Sequence, residues 1–137
     1  MVNRLTDGLN CNAQALIWRA ERQRIIASNI ANADTPGYVS RDLNFAQALR
    51  DATSNTAMTG AMELSASDSS AQDTSARVQR NLVYATPSQT NLDSNTVDMD
   101  RERAAFAENA VKYESTVRFV SGQVRTMLDA MKGNNAA

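Results

Sequence analysis

At 137 residues the chain has room for one domain at most. Apolar residues make up 42% and aromatic ones only 5%, which excludes a large aromatic core. Fourteen Lys and Arg against fifteen Asp and Glu leave a net charge of −1, which gives no support for nucleic acid as a partner.

Histidine is absent, and with it the commonest general base and metal ligand. The lone Cys11 allows no internal disulfide or thiolate cluster and reads as a small buried hydrophobe. No run reaches the ~18 apolar residues of a membrane helix. The first residues also lack a charged stretch followed by an apolar segment and a small-residue cleavage site. The expectation is a cytoplasmic location, or export that leaves the N-terminus intact.

Residues 2 to about 31 predict a first helix. Val2, Leu9, Leu16 and Ile30 share a seven-residue spacing, interrupted by Gln23, and Ala13, Ala20 and Ala27 repeat it on the next row. Such a repeat favours a seam against another helix. Leu5, Ile17, Trp18, Ile25 and Ile26 lie outside that stripe, so the helix needs more than one partner.

The helix is expected to stop at Thr35-Pro36-Gly37. Proline pushes the residue before it out of the α region, and Pro-Gly suits a type II turn. Asn32 or Asp34 is expected to take the left-handed or capping conformation. A short helix follows from about Asp42 to Arg50, with Asp42 placed to cap it. Residues 51–76 are dominated by Ala, Ser, Thr and Asp and are expected to form a mobile loop. Leu82-Val83-Tyr84 reads as a short extended piece.

The last element is the most regular. Phe106, Ala110, Tyr113, Val117, Val120, Val124, Met127 and Met131 alternate spacings of four and three, an apolar heptad. A helix over about 97–132 follows, with Thr96 or Asp98 as its cap, Asp98, Asp100 and Glu102 in its first turns, and Gly133 as its stop. It spans on the order of 50 Å, against roughly 45 Å for the first helix. The fold class is therefore mainly α. Two long terminal helices pack as a coiled-coil-like pair around a small, irregular, partly extended and flexible middle. The expected divisions are 1–33, 34–50, 51–93 and 94–137.

Catalytic chemistry is missing. A calcium loop begun at Asp93 needs Gly at its sixth place and Glu at its twelfth, where this chain has Asp98 and Ala104. No P-loop, dinucleotide fingerprint or nucleophile elbow occurs. No enzyme activity, cofactor or metal is expected. The residues singled out for packing between subunits are Leu9, Leu16, Ala20, Ala27, Ile30, Phe106, Ala110, Tyr113, Val117, Val120, Val124 and Met127.

Ala27, Asn29, Ile30, Ala31, Asn32, Thr35, Pro36, Gly37 and Tyr38 match a signature that ends the N-terminal helix of the bacterial flagellar axial proteins. The chain resembles that family over roughly residues 1–50 and 80–133. Asn95, Thr96, Val97, Asp98, Asp100 and Glu102, with the short middle, look like its proximal rod members, although Ser94 stands where these often have Gly. The resemblance implies a subunit exported by the flagellar type III apparatus without signal cleavage, polymerising helically in the periplasmic rod of the basal body. Implied partners are further copies, FlgC-type rod subunits, a FliE-type adaptor, the MS-ring protein FliF and the export apparatus, with no nucleic acid and no lipid insertion. A family export element, Phe followed four residues on by an apolar residue, is met by Phe45 and Leu49, although a core pair is the favoured reading. The competing class is a cytoplasmic helical adaptor or secretion chaperone, which leaves the segment from Ser28 to Tyr38 without a reason.

Overall fold

The computed structural model describes residues 2–58, 76–84 and 92–133. Helix α1 spans Val2–Ala31, strand β1 Arg41–Leu43, helix α2 Phe45–Met58 and strand β2 Leu82–Tyr84. A short helix α3 covers 76–80, and α4 spans Met99–Gly133. No described helix is long and apolar enough to cross a membrane.

Both long helices form where their heptads predict, and they run antiparallel. Asn12 bonds Gln123 near one end, and Gln23 meets Phe106 and Asn109 nearer the other. α1 also has the second partner its apolar breadth requires. Trp18 and Ile25 pack with Leu43, Ala48, Ala52 and Val78, and Phe45 and Leu82 border this cluster. Trp18, Ile25 and Ile26, which fall outside the heptad stripe, are thus the most buried apolar residues of α1. Phe45 is a core residue with the Arg19 guanidinium 4.5 Å above its ring.

Several expectations need correction. The segment starting at Asp42 is a strand before it is a helix: Arg41–Leu43 pairs antiparallel with Leu82–Tyr84, Asp42 facing Val83. Three residues are too few to show a period of two. Asp42 therefore caps nothing. Its carboxylate instead receives two bonds from Arg22, at 3.0 and 3.1 Å, while Asn44 accepts the Gln47 N–H and begins α2. α2 also runs on to Met58, through the first part of the expected loop. Ala52 is buried against the core, and a Gln47–Asp51 bond supports that turn. The rest of the expected loop, 59–75, lies outside the described residues.

Candidate functional site: the joint between the terminal helices

The signature residues converge where α1 ends and α4 begins. α1 tightens to i→i+3 bonding as it stops: Asn32 N–H bonds the Asn29 carbonyl at 3.2 Å and Ala33 N–H that of Ile30 at 3.3 Å. Asn32 turns its amide back to the Ser28 carbonyl at 2.8 Å and accepts the Thr35 hydroxyl at 3.2 Å. Neither Asn32 nor Asp34 takes a positive φ; of the two expected roles Asn32 fills the capping one, through its bond to the Ser28 carbonyl. The reversal is made one step later. Gly37 has φ 71°, and Tyr38 N–H bonds the Thr35 carbonyl at 3.3 Å. With Pro36 fixing the preceding φ, this is the expected type II turn.

The other half of the joint comes from residues 93–98. Gly37 N–H bonds the Asp93 carbonyl at 2.8 Å and Thr96 N–H the Tyr38 carbonyl at 3.1 Å. Ser40 N–H adds a bond to the Thr96 hydroxyl at 2.9 Å. The side chain of Asn95, almost fully buried, donates to the carbonyls of Asn32, Ala33 and Thr35 at 3.2, 2.6 and 2.9 Å. Its oxygen accepts Val97 N–H at 2.9 Å. An amide has two hydrogens, so one of them is shared between two of the three carbonyls. Asp98 then caps α4, accepting the N–H groups of Asp100 and Arg101 at 3.1 and 3.2 Å. Between the two expected caps, the structure selects Asp98 and gives Thr96 to the joint.

Asn29, with no exposed surface, clips the outer edge of β1. It donates to the Arg41 carbonyl at 2.6 Å and accepts Arg41 N–H at 3.1 Å, so its side-chain amide stands in for a neighbouring strand. Tyr38 OH reaches the same oxygen at 3.3 Å. Burial pushes the Tyr38 phenol up, but bonds with Ser28 and Arg41 outweigh it and hold it below its ordinary value. Glu102 stands over this cluster. Burial raises its pKa and the Asp42 charge adds to that, while Asn29, Arg101 and Arg22 oppose it. A cleft of about 320 Å³ opens here, lined in part by Arg22, Arg41, Asp42, Arg101 and Glu102. Among the described residues, no cluster of potential metal ligands occurs.

The joint unites Asn29, Asn32, Thr35, Gly37, Tyr38, Asn95, Thr96, Val97 and Asp98, while Ala31, Pro36 and Asp100 are exposed. Sequence reasoning missed Ser40 and Arg41, and the role of Ser94. Ser94 is the one non-glycine residue with positive φ among the described residues, at 55°. That is the conformation a glycine at this place would supply.

Beyond the joint, the seam between α1 and α4 is polar. Asn109, 1% exposed, donates to the Arg19 carbonyl at 2.9 Å and to Gln23 Oε1 at 2.6 Å. Thr116 is buried one heptad on, and Gln123 bonds Asn12 at 3.0 Å a heptad further. Asn109, Thr116 and Gln123 lie within about 40° of one another around α4, at 100° per residue. The apolar heptad is centred some 60–80° round from them by the same geometry. It stays largely uncovered: Phe106 is 38% exposed, Val117 37% and Met131 70%, with Ala110, Tyr113 and Val124 also exposed. Val120 and Met127 are half-buried. On α1, Ala20 and Ala27 are exposed and Leu9, Leu16 and Ile30 half-buried. The apolar heptads are thus not the main intrachain seam. The missed signal was the seven-residue spacing of Glu102, Asn109, Thr116 and Gln123.

An interlocked pair of long helices with an uncovered apolar flank has the form of a structural subunit. A family model described as flagella basal body rod protein matches residues 9–38. The flagellar basal body rod protein FlgB of Escherichia coli strain K12 is 40% identical, over 98% of this chain and 100% of that protein. FlgB of Salmonella typhimurium is 42% identical over the same shares. FlgB of Proteus mirabilis strain HI4320 is 40% identical, over 96% of this chain and 98% of its own length. The chain belongs to the flagellar basal body rod protein family, within its FlgB branch.

Proposed function

We infer that this chain polymerises helically at the proximal end of the flagellar rod, through the two apolar rows of its terminal helices. The supporting observation is the uncovered apolar flank of the helix pair. In an antiparallel pair, the row of Leu9, Leu16, Ala20, Ala27 and Ile30 and the row of Phe106, Ala110, Tyr113, Val117, Val120, Val124 and Met127 turn to the same side. α2 packs on a different face of α1, against Trp18 and Ile25. Long uncovered apolar rows mark an interface. In this reading the segments 1–33 and 94–137 are assembly arms and the joint sets their mutual direction. The signature is then absorbed within the subunit.

The neighbours in this reading are further copies, FlgC-type rod subunits, a FliE-type adaptor and the MS-ring protein FliF. The chain reaches the periplasmic rod through the type III apparatus without signal cleavage. A cytoplasmic adaptor or secretion chaperone gains no support from relatives that are named as rod proteins along their whole length. Fractionation tests the proposal: the chain should co-purify with detergent-extracted basal bodies. Recovery solely in the soluble cytoplasm would reverse it.

A further inference from the structure

On the flank of α4 away from most of the apolar row, sharing only Met127 with it, lies a second feature. A groove of about 390 Å³ opens between the first turns of α1 and the later part of α4, lined by Gly8, Phe119, Gly122, Thr126, Met127 and Ala130 among others. Its residues Phe119, Gly122, Thr126 and Ala130 lie about 160° round α4 from the row of Phe106, Tyr113, Val117 and Val124, at 100° per residue. Phe119 is 70% exposed, so the groove has an apolar wall that the subunit itself leaves uncovered.

Gly122 makes the groove more than a gap. Glycine is the poorest interior helix residue after proline. A Cβ built at Gly122 would meet nothing within 4 Å. The subunit's own packing therefore gives no reason for glycine there, whereas close approach by another chain does.

We propose that this groove receives a second copy of the same chain, seated by the Tyr113 region of that copy's apolar row. The proposal rests on the reading of the chain as a self-assembling rod subunit and names the acceptor surface it uses. Charge selects the match. Residues 98–114 carry five acidic and three basic side chains, whereas 118–132 carry three basic and one acidic. Glu108 pairs with Lys112 and Glu114 with Arg118 within α4. The half that holds Tyr113 still keeps an acidic excess and the half that holds the groove a basic one, through Arg125 and Lys132, so the two are complementary between copies. Shape agrees: the row is bulky, and the groove is hollowed by two glycines. Donor and acceptor lie on opposite flanks, so the contact is heterologous, the kind that builds a helical row of subunits when its rotation does not close a ring. Row-to-row pairing of two copies would close at a dimer and leave the groove empty.

Two variants in a Cys11→Ser background test this, Gly122→Cys and Tyr113→Cys, expressed together in cells that build basal bodies. After oxidation, purified basal bodies should contain a disulfide joining the two variants. Either variant expressed alone should give no dimer. Basal bodies that contain the chain but show no mixed disulfide, or show Tyr113→Cys joined to itself, overturn the groove and leave the rod reading standing. Absence of the unsubstituted chain from basal bodies overturns both.

Discussion

The side-chain amide of Asn95 donates to the Ala33 carbonyl at 2.6 Å, across 62 residues of sequence. That bond and its two companions tie the exit of α1 to the entrance of α4. The helices therefore leave one fixed point, and any error in their mutual angle would grow along roughly 45 Å of helix. In this light the asparagines of the two signature segments are hinge pins, consumed inside the subunit and not presented to neighbours.

Replacing Asn95 with Ala should destabilise the isolated chain by about 1–3 kcal/mol, the cost of taking the donor from the Ala33 carbonyl and the acceptor from the buried Val97 N–H. Asn95→Asp should cost more, because its carboxylate carries no hydrogen and would face three carbonyl oxygens. Urea unfolding followed by circular dichroism measures both. An Asn95→Ala midpoint equal to the parent's would remove Asn95 from the joint.

Ser94 offers the opposite sign. At φ 55° a non-glycine residue carries a penalty of about 1–2 kcal/mol. Glycine relieves it, less about 0.5–1 kcal/mol for the added freedom of the unfolded chain. Ser94→Gly should therefore gain about 0.5 kcal/mol. Gly37→Ala, at φ 71°, should lose about 1 kcal/mol or more. A thermal melt in which both shift in the same direction would contradict this account of the joint.

The polar seam makes its own demand. Asn109 gives two hydrogen bonds to α1, while its Oδ1 has no partner among the described residues. Asn109→Ala should cost about 1–3 kcal/mol, chiefly through the Gln23 amide oxygen left without its donor, since the Arg19 carbonyl keeps its bond within α1. Asn109→Leu should lose the same bonds and also crowd the seam, so it should not rescue stability. A more stable Asn109→Leu would show that the seam tolerates an apolar layer and that the asparagine serves only register.

Much of the architecture was legible because long periodic segments announce themselves. Thirty residues of heptad spacing in α1 and four repeats in α4 leave little choice of element. Pro36-Gly37 states its turn in two residues. The sheet was not legible, since β1 and β2 have three residues each and find one another across 38 intervening positions of weak pattern. The polar seam within the chain was not read, for a different reason. A heptad of apolar residues says that a helix face is buried somewhere, without saying in which chain. The polar row at 102, 109, 116 and 123 shared the same period, but its side chains do not read as a core. The joint was half legible: the two signature segments stood out, while their mutual pairing depends on contacts some 60 residues apart.

Glu102 gives a pH signature. Burial raises its carboxyl pKa in the folded chain. Above the ordinary value of 4.5 the folded state therefore holds more proton at this site than the unfolded state. Its contribution to stability falls as pH rises from that value through the raised pKa, and the penalty is complete above it. Glu102→Gln removes the charge and keeps an acceptor for Asn29. Its unfolding midpoint should match or exceed the parent's at pH 7, and that advantage should vanish near pH 4. A variant that loses more stability at pH 7 than at pH 4 would show that the ionised carboxylate is needed.

The assembly reading separates from the folding reading at Val117. This residue lies in the apolar row and is 37% exposed, so the isolated subunit has little invested in it. Val117→Asp should change unfolding stability by about 0.5 kcal/mol or less, as surface substitutions do. At a packed interface between subunits the same carboxylate would lose its water without gaining a partner, a cost of several kcal/mol. The variant should therefore fold and be exported, yet fail to enter basal bodies and leave cells non-motile on soft agar. Leu16→Asp tests the facing row on α1, but Leu16 is half-buried, so its monomer should also weaken. Normal swimming by Val117→Asp cells would exclude the α4 row from the assembled rod.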